Sequence, residues 1–357
     1  MKNKTVTFGG VSVAPGEQKS IEIPLAAMVT HHDVEMSVHV INGKKSGPCL
    51  FVSAAIHGDE INGVEIIRRL ANKKLLQRLS GTLVVIPIVN VHGFITHSRY
   101  LPDGRDLNRS FPGSSKGSLA GRMANTFLKE VVEKCSHGID LHTAARHRDN
   151  LPQIRADMSK PEVEAMALAF GVPVIIDSAI RDGSLRQAAG DAGIPILLYE
   201  AGEALRFDEV AIRAGERGVQ NVMRHLGMLP KLKEKVAEKT KIKRPVITAH
   251  TSWVRAPSSG MMRALVPLGA KAFQGGVLGV ISDPLGKTEF QVIAPLEGIV
   301  IGRTNLPLVY EGDALFHVAY YKQRADNVLT QVENFQEHFE LDPTPMESQE
   351  LGDGPIT

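Results

Sequence analysis

An α/β fold followed by a small all-β unit is what this sequence predicts, on three observations. From about residue 47, apolar runs of strand length alternate with amphipathic helical stretches. The strand-like runs are nearly continuous in apolar residues, as in a sheet covered on both faces by helices. Past residue 245 the helical pattern stops and an internal near-repeat of short strands takes over.

Residues 1–46 read as short strands with polar turns, such as "SVHVING" with its Asn42-Gly43 turn signal, packed on the α/β unit. That unit spans 47–229. It opens with "PCLFVSAA", then "EINGVEIIRRLANKKLLQRL", then "GTLVVIPIVN". The first helix puts Ile61, Val64, Ile67 and Leu70 on one stripe, and a later one sets Leu119, Met123, Phe127 and Val131 at i+4 steps. Further strands follow at "GIDLH", "PVIID" and "IPILLYE", and the helix around "VAIRAGERGVQNVMRHLGML" closes the unit. The basic, proline-bounded stretch 230–245 reads as a connector.

In residues 246–325, Ala256/Ala294, Pro257/Pro295 and Gly260/Gly298 match in order, which predicts two copies of a strand set. This unit resembles the biotinyl/lipoyl barrel-sandwich. The carrier lysine of such domains is missing from "VIGRTNLP" and "MMRALVP", so a scaffold role is expected. Residues 326–357 are acidic and end in Pro/Gly-rich sequence, and a frayed tail is expected.

Composition narrows the function. With 357 residues, 43% hydrophobic and 22% charged, the chain fits a soluble globular protein with a sizeable core. A formal charge of +2 gives no dominant field for a nucleic acid backbone. No run reaches the roughly 18 uncharged apolar residues of a membrane helix, and "MKNKTVTFGGVSVAPGEQKS" lacks a signal-peptide core. Cys49 and Cys135 make no disulfide framework. The expectation is a cytoplasmic protein with a small-molecule substrate and neither nucleic acid nor membrane as partner, with self-association into a homo-oligomer left open.

The chemistry concentrates at strand exits. In "AAIHGDEING", His57 and Glu60 stand three apart in a strand-to-helix turn, so both can converge on one point. Imidazole and carboxylate suit zinc, and a hydrolytic site wants a third protein ligand plus an open position. His142 in "GIDLHTA" ends another strand, with Asp140 on the same side as a candidate acceptor for an imidazole N–H. Alternatively, Glu60 merely favours a helix dipole and the histidines are hydrogen-bonded structure. "SRYLPDGRDLNRSFPG" crowds Arg99, Arg105, Asn108 and Arg109 into one loop, either a carboxylate-binding surface or a solvated basic loop. "IPILLYEAGE" delivers Glu200 at a strand exit, where amide hydrolysis needs a proton shuttle; Glu203 is its rival.

Together and in this order, "HGDE", "RDLNR", "DLHT" and "YEAGE" resemble the zinc carboxypeptidase superfamily, and within it the succinylglutamate desuccinylase/aspartoacylase family. The resemblance covers roughly residues 47–229 and implies a mixed sheet flanked by helices. It implies one zinc ion (Zn2+) per chain held by His57, Glu60 and His142, with Glu200 as general base. Arg99 matches the arginine that polarises the scissile carbonyl, with Arg105 as competitor. Asn108 and Arg109 match a pair that grips a substrate carboxylate, and Arg186 in "GSLRQAAG" is a candidate second carboxylate-binding arginine. Arg146, Arg148 and Arg155 either select acidic groups or form a solvated segment. His31, His32, His92, His97, His137, His147, His225 and His317 lack comparable surroundings and are read as structural.

The implied reaction is hydrolysis of the amide of a small N-acyl amino acid. Two other readings stay open: a zinc carboxypeptidase acting on peptides, and an inert zinc-binding or assembly protein on an enzyme fold.

Overall fold

The computed structural model describes residues 1–27, 29–232, 245–320 and 328–340. A hairpin of β1 (Val6–Phe8) and β2 (Val11–Val13) precedes two long strands, β3 (Gln18–Ala27) and β4 (Asp33–Asn42). The alternating part comes next: β5 (Lys45–Ala54), α1 (Asn62–Ala71), β6 (Ser80–Ile86), α2 (Val91–Ile95), α3 (Leu119–Glu130) and β7 (His137–Ala144). After these come β8 (Arg148–Asn150), β9 (Gln153–Ala156), α4 (Pro161–Phe170), β10 (Val174–Asp177), α5 (Leu185–Asp191), β11 (Ile196–Glu203), α6 (Glu209–His225) and β12 (Val246–Thr248).

Nine of these strands form one mixed sheet in the order β12-β10-β9-β11-β7-β5-β6-β4-β3. The central run β11-β7-β5-β6 is parallel, and β3 and β4 extend it antiparallel at one edge. The strands expected to be short in residues 1–46 therefore include two of ten residues that belong to the large sheet. Both faces are covered. Ile66 and Leu70 of α1, Phe170 of α4 and Val219 and Met223 of α6 seal one side. Phe127 of α3, Leu185 of α5, and Phe8 and Val13 of the hairpin seal the other. Every residue of β7 is buried, which is why its sequence does not alternate.

The helical stretch expected to run on from Glu60 stops at Ala71, and a separate 3-10 turn covers Lys74–Arg78. The i+4 stripe of α3 holds: Met123, Phe127 and Val131 are buried.

The C-terminal unit consists of β13 (Thr251–Arg255), β14 (Gly260–Ala264), β15 (Lys271–Ala272), β16 (Val277–Ser282), β17 (Glu289–Ile293), β18 (Gly298–Thr304), β19 (Leu308–Val309) and β20 (Ala314–Tyr320). Its two sheets run β13-β20-β18-β15 and β17-β16-β14-β19. Exchanging the first four strands with the last four converts one order into the other, so the sequence repeat is an architectural one. Val254, Met262, Ile281, Val300 and Phe316 fill the space between the sheets. Val246–Thr248, expected within this unit, pairs in parallel with β10 in the large sheet.

The two units are stitched together. β8 pairs antiparallel with β18, Asn150 opposite Gly302, and adds a fifth strand to the smaller sheet. Leu151, Val174 and Ile176 on one side bury against Ile299, Ile301 and Ala319 on the other.

Two expectations concern the remaining segments. The connector falls mostly outside the described residues, as does the end of the tail beyond Glu340. Within the tail, however, α7 (Val328–Glu340) is a helix rather than frayed chain. Val332, Phe335 and Phe339 recur at helical spacing, and Phe335 and Phe339 bury against Ala214 of α6.

Candidate metal centre and pocket

The site forms where parallel strands end side by side. β5 and β7 are neighbours in register, Ser53 opposite Asp140, and the Ser53 hydroxyl donates to Asp140 Oδ1 at 2.7 Å. Glu200 of β11 lies opposite His142 of β7. After β5 the chain turns sharply: Ala55 takes a left-handed φ of 49° and the Glu60 N–H donates to the His57 carbonyl. Gly58 lets this turn lie against α2, because a Cβ there would sit 1.9 Å from the Gly93 carbonyl carbon.

His57, Glu60 and His142 are all buried, and their ligand atoms lie within 4.8 Å of one another. His57 Nδ1 is 2.7 Å from Glu60 Oε1, and His142 Nδ1 is 2.7 Å from Glu60 Oε2. The opposite ring nitrogens face carboxylates, His57 Nε2 toward Asp106 Oδ1 at 3.1 Å and His142 Nε2 toward Asp140 Oδ2 at 2.7 Å. Such acceptors hold the proton on Nε2 and turn both Nδ1 lone pairs inward, the arrangement a metal-binding imidazole needs. The donor set fits a cation. Glu60, Asp106 and Asp140 are paired with one permanent cation, Arg99, and with His57 and His142, so the cluster carries excess negative charge when the imidazoles are neutral. Among the described residues this is the one group of such donors close enough to hold a metal ion.

The electrostatics follow from burial and pairing. Burial alone would raise the Glu60 carboxyl, but His57 and His142 hold it well below the usual carboxylate range. Asp106 is treated likewise: burial raises it, and His57 and Arg99 more than reverse the effect. Burial opposes the charge on His142, yet Asp140 and Glu60 push its affinity for a proton well above the ordinary imidazole value. In the cation-free protein a proton therefore competes for the position a metal would take.

Most of the sequence-derived residues meet in one cavity of about 590 Å³, lined by His57, Glu60, His142, Arg99, Asn108, Arg109, Arg186 and Glu200. Arg99 donates to Glu60 Oε1 at 3.1 Å and to Asp106 Oδ2 at 3.0 Å. Asn108 Oδ1 accepts from the Leu185 N–H at 2.9 Å, so its amide NH2 stays available to a ligand. Arg186 is buried and donates only to neutral partners, Ser178 Oγ at 2.8 Å and the Ala179 carbonyl at 3.1 Å. Burial and the neighbouring Arg155 charge lower its pKa from the usual value. Neither Arg109 nor Arg186 has a carboxylate partner among the described residues.

Arg105 is the exception. It is solvent-exposed, pairs with Asp103 at 2.9 Å and does not line the cavity. Just before it the loop turns outward at a Pro-Asp-Gly sequence, which separates it from Arg99. Glu203 also lies outside the cavity, accepting from the His147 N–H and the Asn305 amide at the seam between units. Arg146 points outward toward Asp59, whereas Arg148 and Arg155 line the cavity.

Sequence reasoning missed three participants, Asp106, Asn150 and His317, and left Arg155 open between contact with acidic groups and a solvated segment. Asp106 stands inside the quoted "RDLNR" and bridges His57 to Arg99. Arg155 and Asn150 both donate to Glu200 Oε2, at 3.0 and 3.1 Å. His317, read as structural, is buried in the C-terminal unit and lines the cavity together with Trp253. An acidic residue placed beside two arginines in a turn could have flagged Asp106; nothing local marks His317.

A strand-end cluster of this kind on a mixed sheet defines a class, that of α/β proteins with a candidate metal centre at the strand ends. The catalytic-domain model of the succinylglutamate desuccinylase/aspartoacylase family matches residues 46–226, and the chain belongs to that family. It is 25% identical over 283 residues to N-alpha-acetyl-L-2,4-diaminobutyric acid deacetylase of Halomonas elongata, covering 76% of this chain and 82% of that protein. Succinylglutamate desuccinylase of Photorhabdus laumondii is 32% identical over 134 residues, 32% of this chain and 39% of that protein. The fold is shared with the product-bound ectoine utilization protein EutE (DoeB) of Ruegeria pomeroyi, at a TM-score of 0.74 and 22% identity, over 90% of this chain and 100% of that one. It is shared equally with a succinylglutamate desuccinylase/aspartoacylase of Rhodobacter sphaeroides, TM-score 0.74 at 24% identity, over 85% and 96%. Among the described residues no helix is long and apolar enough to cross a membrane.

Proposed function

We propose that the protein is a zinc-dependent amidohydrolase that releases the acyl group from a small N-acyl amino acid. The observation that carries this reading is the convergence of three buried donors, two of them imidazoles backed by carboxylates, beside a strand-end glutamate in the same cavity. His57, Glu60 and His142 would hold the ion. When bound, zinc supplies Lewis acidity toward an amide carbonyl and toward water.

The chain's own groups do the rest. Glu200 takes the proton from the attacking water through its free Oε1 and returns it to the departing amine. Arg155 and Asn150 hold Oε2 and so fix which oxygen faces the reaction. Arg99 supplies positive charge where the carbonyl oxygen becomes anionic, though part of its guanidinium is engaged by Glu60 and Asp106. The Asn108 amide and Arg109 clamp a substrate carboxylate, and Arg186, which hydrogen-bonds only neutral partners and feels Glu200 and Asp157 at longer range, is suited to a second one. A cavity of about 590 Å³ closed on one side by Trp253 and His317 favours a small amide over a polypeptide.

Purified protein would be analysed for metal content and assayed with a ninhydrin screen of N-acetyl and N-succinyl amino acids alongside short peptides. About one zinc per chain and amine release from one or more acyl amino acids is the expected result. Cleavage of peptides alone would shift the assignment to a carboxypeptidase, and absence of any turnover in zinc-loaded protein would leave a binding protein.

A further inference from the structure

Of the side chains that the second unit brings to the cavity, His317 is the imidazole, and it has no structural task in hydrogen bonding among the described residues. His317 on β20 is 6% exposed, yet neither ring nitrogen bonds to any described residue. Its ring lies flat on Trp253, centroids 4.8 Å apart and planes within 7°. Trp253 in turn carries the Arg148 guanidinium 4.9 Å from its centroid. Imidazole, indole and guanidinium thus form one stack that spans the seam and leaves the imidazole edge as the polar part facing the cavity.

Its place relative to the chemistry is fixed by backbone pairing. Gly302 of β18 lies opposite both His317 and Asn150, and Asn150 donates to Glu200. A Cβ at Gly302 would come within 2.8 Å of Asn150 Oδ1 and 3.1 Å of the His317 Cβ. His317 is therefore separated from the support of the candidate base by a single glycine.

The ring nitrogens of His317 are not among the side-chain atoms sealed off without a partner, so the imidazole edge is open to the cavity and able to meet a ligand there. We infer that His317 is a specificity residue that touches substrate: its imidazole edge hydrogen-bonds an oxygen acceptor, a carboxylate or carboxamide, on the amino-acid side chain of the substrate. The inference rests on the hydrolase reading for what the substrate is, but its binding test does not depend on turnover.

Two features select an oxygen acceptor over an ammonium group. Arg148 and Arg155 place positive charge around the ring, which repels a cation and attracts an anionic or carbonyl oxygen. Burial first, then those two arginines, push the His317 pKa down to about 3, so the imidazole stays neutral at working pH and keeps one N–H to donate. A neutral donor serves a carboxamide as well as a carboxylate.

Trp253 is the only tryptophan in the chain, so its emission reports on this stack. Zinc-loaded Glu200→Gln protein, slowed in turnover, would be titrated with N-acetyl-L-glutamate, N-acetyl-L-glutamine and N-acetyl-L-alanine. The first two are expected to shift the emission saturably. His317→Phe keeps a ring for the stack but removes the donor, and should weaken both at least tenfold while moving N-acetyl-L-alanine less than about twofold. His317→Gln, which restores a donor without the stack, should recover affinity to within about threefold. Unchanged affinities in His317→Phe, equal losses for all three ligands, or no emission change with any of them would overturn the inference. Amine release by the wild type is scored separately: binding through His317 with no amine released would sink the hydrolase reading and leave this one standing.

Discussion

The wall of the pocket that carries His57, Glu60 and His142 is set by the ends of strands within one sheet. The wall that carries Trp253 and His317 exists because a second pair of sheets pairs with β8. On the first wall each polar side chain answers another within about 3 Å, and its charges are buried and mutually held. On the second the contacts are ring stacks, and a neutral imidazole is left free. The difference teaches that the proposed chemistry and the proposed selection fall on separate parts of the chain: the first wall holds the candidate metal centre among mutually paired charges, and the second offers stacked rings with an unpaired imidazole edge.

The largest expected effects break the first wall. Glu200→Gln should keep full zinc occupancy by elemental analysis while kcat falls about 10³-fold, near the middle of what a proton shuttle contributes. Normal turnover would remove Glu200 from that role. His142→Ala should instead lose the metal, and full occupancy in that variant would count against the ligand set.

Smaller effects sharpen the boundary between the walls. Arg155→Met leaves Glu200 held by Asn150 alone, and kcat should drop about tenfold with metal content unchanged, as expected for loosened positioning. If the loss appeared only in KM, Arg155 would belong with the substrate contacts. Gly302→Ala wedges a methyl between Asn150 and His317, and a cost of about 1–3 kcal/mol in thermal stability is expected from overpacking. A neutral outcome would mean that the two units part there at little cost.

The smallest effect concerns pH. Asp149, on β8 at the seam, is pushed up to about 6 by burial and by Asp208, against the pull of Arg303. Between pH of about 4 and 6 the folded chain holds a proton that the unfolded chain has released, so this group lowers stability as pH rises through that window. Asp149→Asn should therefore be more stable than the parent by about 1–2 kcal/mol at pH 7 and indistinguishable near pH 4, measured by denaturant melts. A difference independent of pH would show that Asp149 acts through packing alone.

The first wall was legible in the sequence because short-range geometry builds it. "HGDE" sits in one turn, "DLHT" and "YEAGE" end strands, and parallel pairing does the rest. Arg99 and Arg105 could not be separated by spacing; the outward turn at Asp103-Gly104 decides between them. The second wall was illegible for a different reason. His317 looks like any apolar-strand histidine until β20 is placed against β13 and the whole unit against β8, a contact between residues more than 150 positions apart. The tail helix was missed because an acidic segment with scattered apolar residues has little intrinsic order, and burial of Phe335 and Phe339 on α6 supplies the stabilisation. The repeat was legible, since its glycines open equivalent strands at Gly260 and Gly298.

Sharing β8 between two sheets carries a cost for anyone dissecting the molecule. A fragment ended near residue 245 would strip β8 of its antiparallel neighbour and bare Leu151 and Ile176, an open hydrogen-bonding margin flanked by grease, which is a template for self-association. Such a truncation should precipitate or dimerise rather than behave as a more permissive hydrolase. Cleft and appendage must be inherited together.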